Sequence, residues 1–109
     1  MIDVKEYIDE TGKSPFSIWF NHLEAIAAAK VSTVLYRMEQ GNFSNAKGIG
    51  GGVLEYKIDF GPGYRIYFGK DGTDIVVVLG GGTKKRQQND ISAAKTYWKD
   101  YKVRKRKNR

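Results

Sequence analysis

Lys57, Arg65 and the run Lys84-Lys85-Arg86 are cations whose positions suit one shared anionic substrate, a phosphodiester. Lysine and arginine both bind phosphate oxygens, and arginine can do so through two donors at once. Crowding of cations can lower a lysine pKa, and one of these lysines is the expected proton donor or acceptor. The missing residue types narrow the chemistry. With no cysteine there is no disulfide scaffold, no thiol nucleophile and no Cys-based zinc site. His22 is the only histidine, which excludes a two-histidine ribonuclease mechanism and multi-histidine metal sites. No metal and no cofactor are expected.

For these cations to meet, the chain must place them on one face. Val53–Phe60 alternates strictly, with Leu54, Tyr56, Ile58 and Phe60 on one side and Val53, Glu55, Lys57 and Asp59 on the other. Gly61-Pro62-Gly63 reads as a three-residue hairpin loop, and Tyr64–Phe68 as the return strand. That loop pairs Phe60 with Tyr64, Asp59 with Arg65 and Lys57 with Tyr67. Lys57 and Arg65 then become diagonal neighbours, about 7–8 Å apart at Cα. A tight turn at Lys70–Thr73 leads into an apolar strand, Ile75–Leu79, which is expected to end at Gly80-Gly81-Gly82 and to set Val78 opposite Arg65. Lys84, Lys85 and Arg86 then emerge beside the Gly61–Gly63 loop. The plainer reading of the same residues is an ordinary Asp59–Arg65 ion pair beside a solvated Lys57.

Around this meander the remaining elements are expected to be helical, apart from a short strand near Ile2–Ile8 and a loop or frayed strand over Lys47–Gly52. Ser14 caps a helix with Pro15 at its first position. Apolar residues from Phe16 to Met38 follow at helical spacing until Gly41, as one long helix or a helical hairpin. A last helix opens near Asn89-Asp90, with Ile91, Ala94, Trp98 and Tyr101 on one side and Lys95, Lys99, Lys102 and Arg106 on the other. The order of elements predicts an α+β domain, a small antiparallel-rich sheet with two N-terminal helices and a C-terminal helix packed on one face and the other face open. One domain spans residues 1–102, and 103–109 form a basic tail.

The 109-residue chain carries a net charge of +7, unevenly spread. Residues 84–109 hold eleven Lys/Arg and two acids, a net of +9, so the rest of the chain is slightly acidic. Such asymmetry favours a polyanionic partner, nucleic acid before anionic membrane; for Val103–Arg109 alone, a merely solvated tail is an equal reading. No stretch approaches the roughly 20 apolar residues of a membrane span, and the N-terminus is unlike a signal peptide. A cytoplasmic location is expected, without a membrane partner.

Three strings carry a family resemblance: Gly52–Ile58, Gly61-Pro62-Gly63-Tyr64-Arg65-Ile66-Tyr67-Phe68, and Leu79–Gln87 followed by Asp90-Ile91. Together they resemble the RelE/ParE toxin superfamily, in its HigB-like branch of addiction module killer proteins. The Pro15-Phe16-x-x-Trp19 and Arg37-x-x-x-Gly41-Asn42 stretches fit the same pattern, over roughly residues 4–98. The resemblance implies a RelE-like fold and the toxin of a type II toxin–antitoxin pair, working on the ribosome as an endoribonuclease that cleaves mRNA. It implies a cognate antitoxin, the ribosome and mRNA as partners, with DNA reached only through the antitoxin complex. Carried over by position, it implies Lys57, Arg65 and Lys84 as catalytic residues. Tyr64, Tyr67, Lys85, Arg86, Gln87, Lys95 and Lys99 are expected to bind RNA. Two positions depart from the pattern: Lys57 stands where the family often has Arg, and Thr83 where it often has Asp. Relatives of the same fold instead inhibit DNA gyrase without catalysis, and a nucleic-acid-binding module without catalysis is a third reading.

Overall fold

A computed structural model describes residues 1–108. In chain order the elements are β1 (Asp3–Glu6), α1 (Pro15–Phe20), α2 (Ala25–Glu39), β2 (Ala46–Gly50), β3 (Val53–Ile58), β4 (Tyr64–Asp71), β5 (Ile75–Thr83) and α3 (Gln87–Lys107), with a 3₁₀ turn at Lys84–Arg86 before α3. The five strands form one sheet in the order β1-β5-β4-β3-β2. β1 runs parallel to β5 and every other pair is antiparallel, giving a mixed α+β architecture.

The N-terminal helical stretch is two helices. Ser14 caps α1 through a bond from the Ser17 amide, with Pro15 at the first position. The break that no Gly or Pro announced comes at Asn21–Glu24, where the Glu24 side chain accepts from the Ile26 and Ala27 amides and so starts α2 afresh. His22 sits exposed in this turn, bonded to the Ile18 carbonyl.

Both faces of the sheet are covered, which corrects the expected open face. One is packed by α1 and α2 around Phe16, Val31, Met38, Tyr56, Ile66 and Phe68. The other is packed by α3, whose Ala94 and Trp98 lie on Val53, Tyr67, Val77 and Leu79. The glycine run does not end β5; it lets helices press on the strand. A Cβ at Gly81 would lie 2.3 Å from the Trp19 ring of α1, and one at Gly82 would lie 1.9 Å from the Asp90 carboxylate of α3.

α3 also starts earlier and ends later than expected. It continues to Lys107, so the basic residues 103–107 are its last turns, and Arg109 lies outside the described residues. Arg104 bonds the Ile8 carbonyl, pairs with Asp100 at 2.7 Å and lies over the Tyr7 ring. Lys105 pairs with Asp71 at the end of β4. No helix among the described residues is long and apolar enough to cross a membrane.

Candidate functional site: a buried Glu–Arg pair beneath surface lysines

The hairpin register differs from expectation by two residues, which keeps every side chain on its expected face. Ile58 pairs with Tyr64 and Lys57 with Arg65, so residues 59–63 form the loop. Lys57 is thus directly opposite Arg65, closer than the diagonal placement. Asp59, now in the loop, pairs with Lys57 at 3.4 Å, and the anticipated Asp59–Arg65 pair is not formed. Across the other edge of β4, a bulge between Tyr67 and Phe68 shifts the ladder, and Arg65 faces Gly82 where Val78 was expected.

Arg65 is buried, 5% exposed, under the first turns of α3. Its partner is Glu55, itself 1% exposed, with Arg65 Nε donating to Oε1 at 3.3 Å. The second carboxylate oxygen accepts from Gln87 Nε2 at 2.9 Å, which ties the start of α3 to the sheet. Arg65 Nη1 donates to the Gly63 carbonyl at 3.0 Å, and the Lys84 amide donates to the same oxygen at 3.1 Å. Gly63, at φ +79°, is therefore the junction at which Arg65 and Lys84 are brought together. The remaining guanidinium amine, Nη2, has no hydrogen-bond partner among the described residues. Buried charges survive when they are paired and bonded in this way.

Two further polar groups lie on this face. Tyr67, opposite Glu55, is fully buried, and its hydroxyl has no partner among the described residues; burial, reinforced by the nearby Glu55 and Asp90 charges, pushes its pKa upward. Asp90 in the first turn of α3 presses on Gly82 with an unpartnered Oδ2, and burial raises its pKa, with Arg86 acting in the opposite sense.

The expected residues divide accordingly. Lys57 lies across the strand pair from Arg65 with its ammonium on Asp59, and Lys84 meets Arg65 through the Gly63 carbonyl; Lys57 and Lys84 are exposed and Arg65 is beneath the surface. Lys85 and Arg86 are exposed on the adjoining 3₁₀ turn. Gln87 is half-buried and committed to Glu55. Tyr67 is unreachable, and Tyr64 lies on the opposite face, packed against Trp19 and Phe60. Lys95 lies over the Gly50-Gly51 turn, and Lys99 joins a separate groove near the end of β4. Sequence reasoning missed Glu55. Part of its signal was present, since it shares a face with Lys57; only the observed register sets it diagonal to Arg65.

No protein-family model matches the chain. It is 37% identical over 81 residues to an uncharacterized protein of Haemophilus influenzae, an alignment that covers 73% of this chain and 82% of that protein. At that identity and coverage, the chain belongs to the same family as the Haemophilus influenzae protein.

Proposed function

We propose that the chain is the RelE-like, HigB-type toxin of a toxin–antitoxin pair and that it cleaves mRNA on the ribosome at the surface formed by Lys57, Arg65 and Lys84. The observation that carries this reading is the Gly63 junction, whose carbonyl accepts from both Arg65 Nη1 and the Lys84 amide and so holds Arg65 close to the backbone of an exposed lysine. In RNA cleavage the 2′-oxygen loses its proton and attacks the adjacent phosphorus, and the bond to the 5′-oxygen breaks as that oxygen gains a proton. In this reading Arg65 and Lys84 stabilise the charge that grows on the phosphate. Lys57 and Lys84, both at the surface, are the groups in reach of the two protons. The ribosome supplies the alignment of the attacking oxygen. Antitoxin, ribosome and mRNA are the partners of this reading, in the cytoplasm.

One observation favours the second reading, a gyrase-binding toxin without catalysis: Glu55 already neutralises Arg65. The deciding experiment adds purified protein to translating ribosomes, maps the mRNA ends, and runs a gyrase supercoiling assay in parallel. Lys84→Ala is expected to slow cleavage about 10²–10³-fold, as removal of one preorganised charge does. Its melting temperature should not move, because the side chain is exposed. Wild-type protein that cuts no message but blocks supercoiling overturns the ribonuclease reading.

A further inference from the structure

A second cationic surface lies at the other end of β4. Arg65 is near the start of that strand and Lys70 near its end, about 17 Å apart at the usual rise of a strand. There a groove of about 570 Å³ runs between Lys70 and the C-terminal half of α3, with Lys99, Lys102, Lys105 and Arg106 along it. Its floor is the Trp98–Tyr101 stack, centroids 5.3 Å apart. Asp71 is its one acid and is already engaged, accepting from Tyr101 at 2.7 Å and pairing with Lys105. Lys99, Lys102 and Arg106 have no carboxylate partner among the described residues. Lys102 rests over Trp98, which holds its ammonium group on an aromatic face of the groove, whereas the Lys70 ammonium lies over Phe43 on the opposite face of the sheet.

Lys99, Lys102 and Arg106, with Lys95 before them, recur at one-turn intervals, about 5.4 Å of rise each. A row of unpaired cations at that interval matches a repeating anion better than a single one. Protein partners bury an interface core depleted in charge, and this floor offers little: Trp98 is 5% exposed and Tyr101 is partly buried beneath the lysines. Phosphate recognition needs no such core and rests on cations that displace counterions.

We propose that this groove grips the sugar–phosphate backbone of a folded RNA, independently of sequence, while the Arg65 end of the sheet engages another strand. The proposal keeps the RNA of the proposed function and adds a second, distant hold on it. The test measures binding of the full chain to a fluorescent RNA hairpin and to poly-glutamate across a salt series. Lys102→Glu/Arg106→Glu is compared with Lys84→Ala, and melting of each variant is followed. The double charge reversal is expected to weaken hairpin binding at least tenfold, equally for different sequences, and to flatten the salt slope by roughly 0.7–0.9 for each phosphate no longer neutralised. Lys84→Ala should leave most of the slope in place. A folded double variant that binds the hairpin like wild type overturns the proposal. Equal loss of poly-glutamate binding at equal wild-type affinity also overturns it, in favour of an acidic protein. If wild type cuts no message yet binds the hairpin through Lys102 and Arg106, the groove stands and the ribonuclease reading falls.

Discussion

The two faces of the sheet are made by the same alternating strands and differ in what they bury. Under α1 and α2 the buried cluster is aliphatic and aromatic, from Phe16 through Met38 to Phe68, with no charged member. Under α3 the buried set includes Glu55 and Arg65, with the unpartnered Tyr67 hydroxyl and Asp90 Oδ2 beside them. The first face needs only volume and shape. The second spends part of its interface on a polar network that an apolar core would outperform for stability. Its charges sit where the hairpin loop, the 3₁₀ turn and the start of α3 meet.

The largest expected effect tests that contrast directly. Glu55→Ala leaves Arg65 as an unpaired buried cation and should destabilise by about 3–5 kcal/mol. Met38→Ala on the other face should cost a similar amount, about 2–5 kcal/mol, through a cavity. The two separate in activity: per folded molecule, Met38→Ala should cleave message normally and Glu55→Ala should not. The double variant Glu55→Leu/Arg65→Met removes both charges together and should fold within a few kcal/mol of wild type or better, while cleavage disappears. A well-folded double variant that still cuts message would show that the pair is structural only. Arg65→Ala alone cannot decide the matter, because Arg65 is not the surface residue its strand pattern predicted.

Much of the sheet was legible because alternation from Val53 to Phe60 and the Gly-Pro-Gly loop are local signals. Side-chain faces survived a two-residue error in register because the period of a strand is two. Three features were not legible. The break at Asn21–Glu24 uses a glutamate cap, a weak signal beside Gly or Pro. The Gly80–Gly82 run reads as a strand terminator until Trp19 and Asp90 are seen pressed against Gly81 and Gly82. The cover on the second face followed from an α3 that begins at Gln87, and with the helix started at Asn89 nothing held Gln87 against Glu55. The site divided along the same line: the lysines at the surface were found from residue type, whereas the burial of Arg65 and Tyr67 depends on long-range packing.

A smaller effect sharpens the contrast. Tyr67→Phe removes a buried hydroxyl that has no partner among the described residues. An unsatisfied buried group carries a penalty of about 1–3 kcal/mol, so the variant should be as stable as wild type or more so by up to that amount. The measurement is the urea midpoint at unchanged m. A clear loss of stability would mean that the hydroxyl has a bound water or moves to Asp90 in solution.

The smallest effect concerns how α3 is fastened at the end away from the candidate site. Tyr7 donates to Asp100 at 2.6 Å and Tyr101 to Asp71 at 2.7 Å. Burial first, and then these acidic acceptors, push each hydroxyl from 10.0 to about 12. In the unfolded chain the same tyrosines ionise near pH 10. A group whose folded pKa is raised stabilises fully below its unfolded value and loses that contribution as pH climbs through the folded one. Stability should therefore fall between about pH 10 and pH 12 as these two bonds stop favouring the fold. Tyr7→Phe and Tyr101→Phe should each flatten that alkaline limb, at the cost of a lower plateau at neutral pH. Denaturant midpoints taken from pH 7 to 12 read both changes. Equally steep limbs in wild type and in the double variant would show that the tyrosines do not fasten α3, and would leave Arg104 and Lys105 as its anchors at that end.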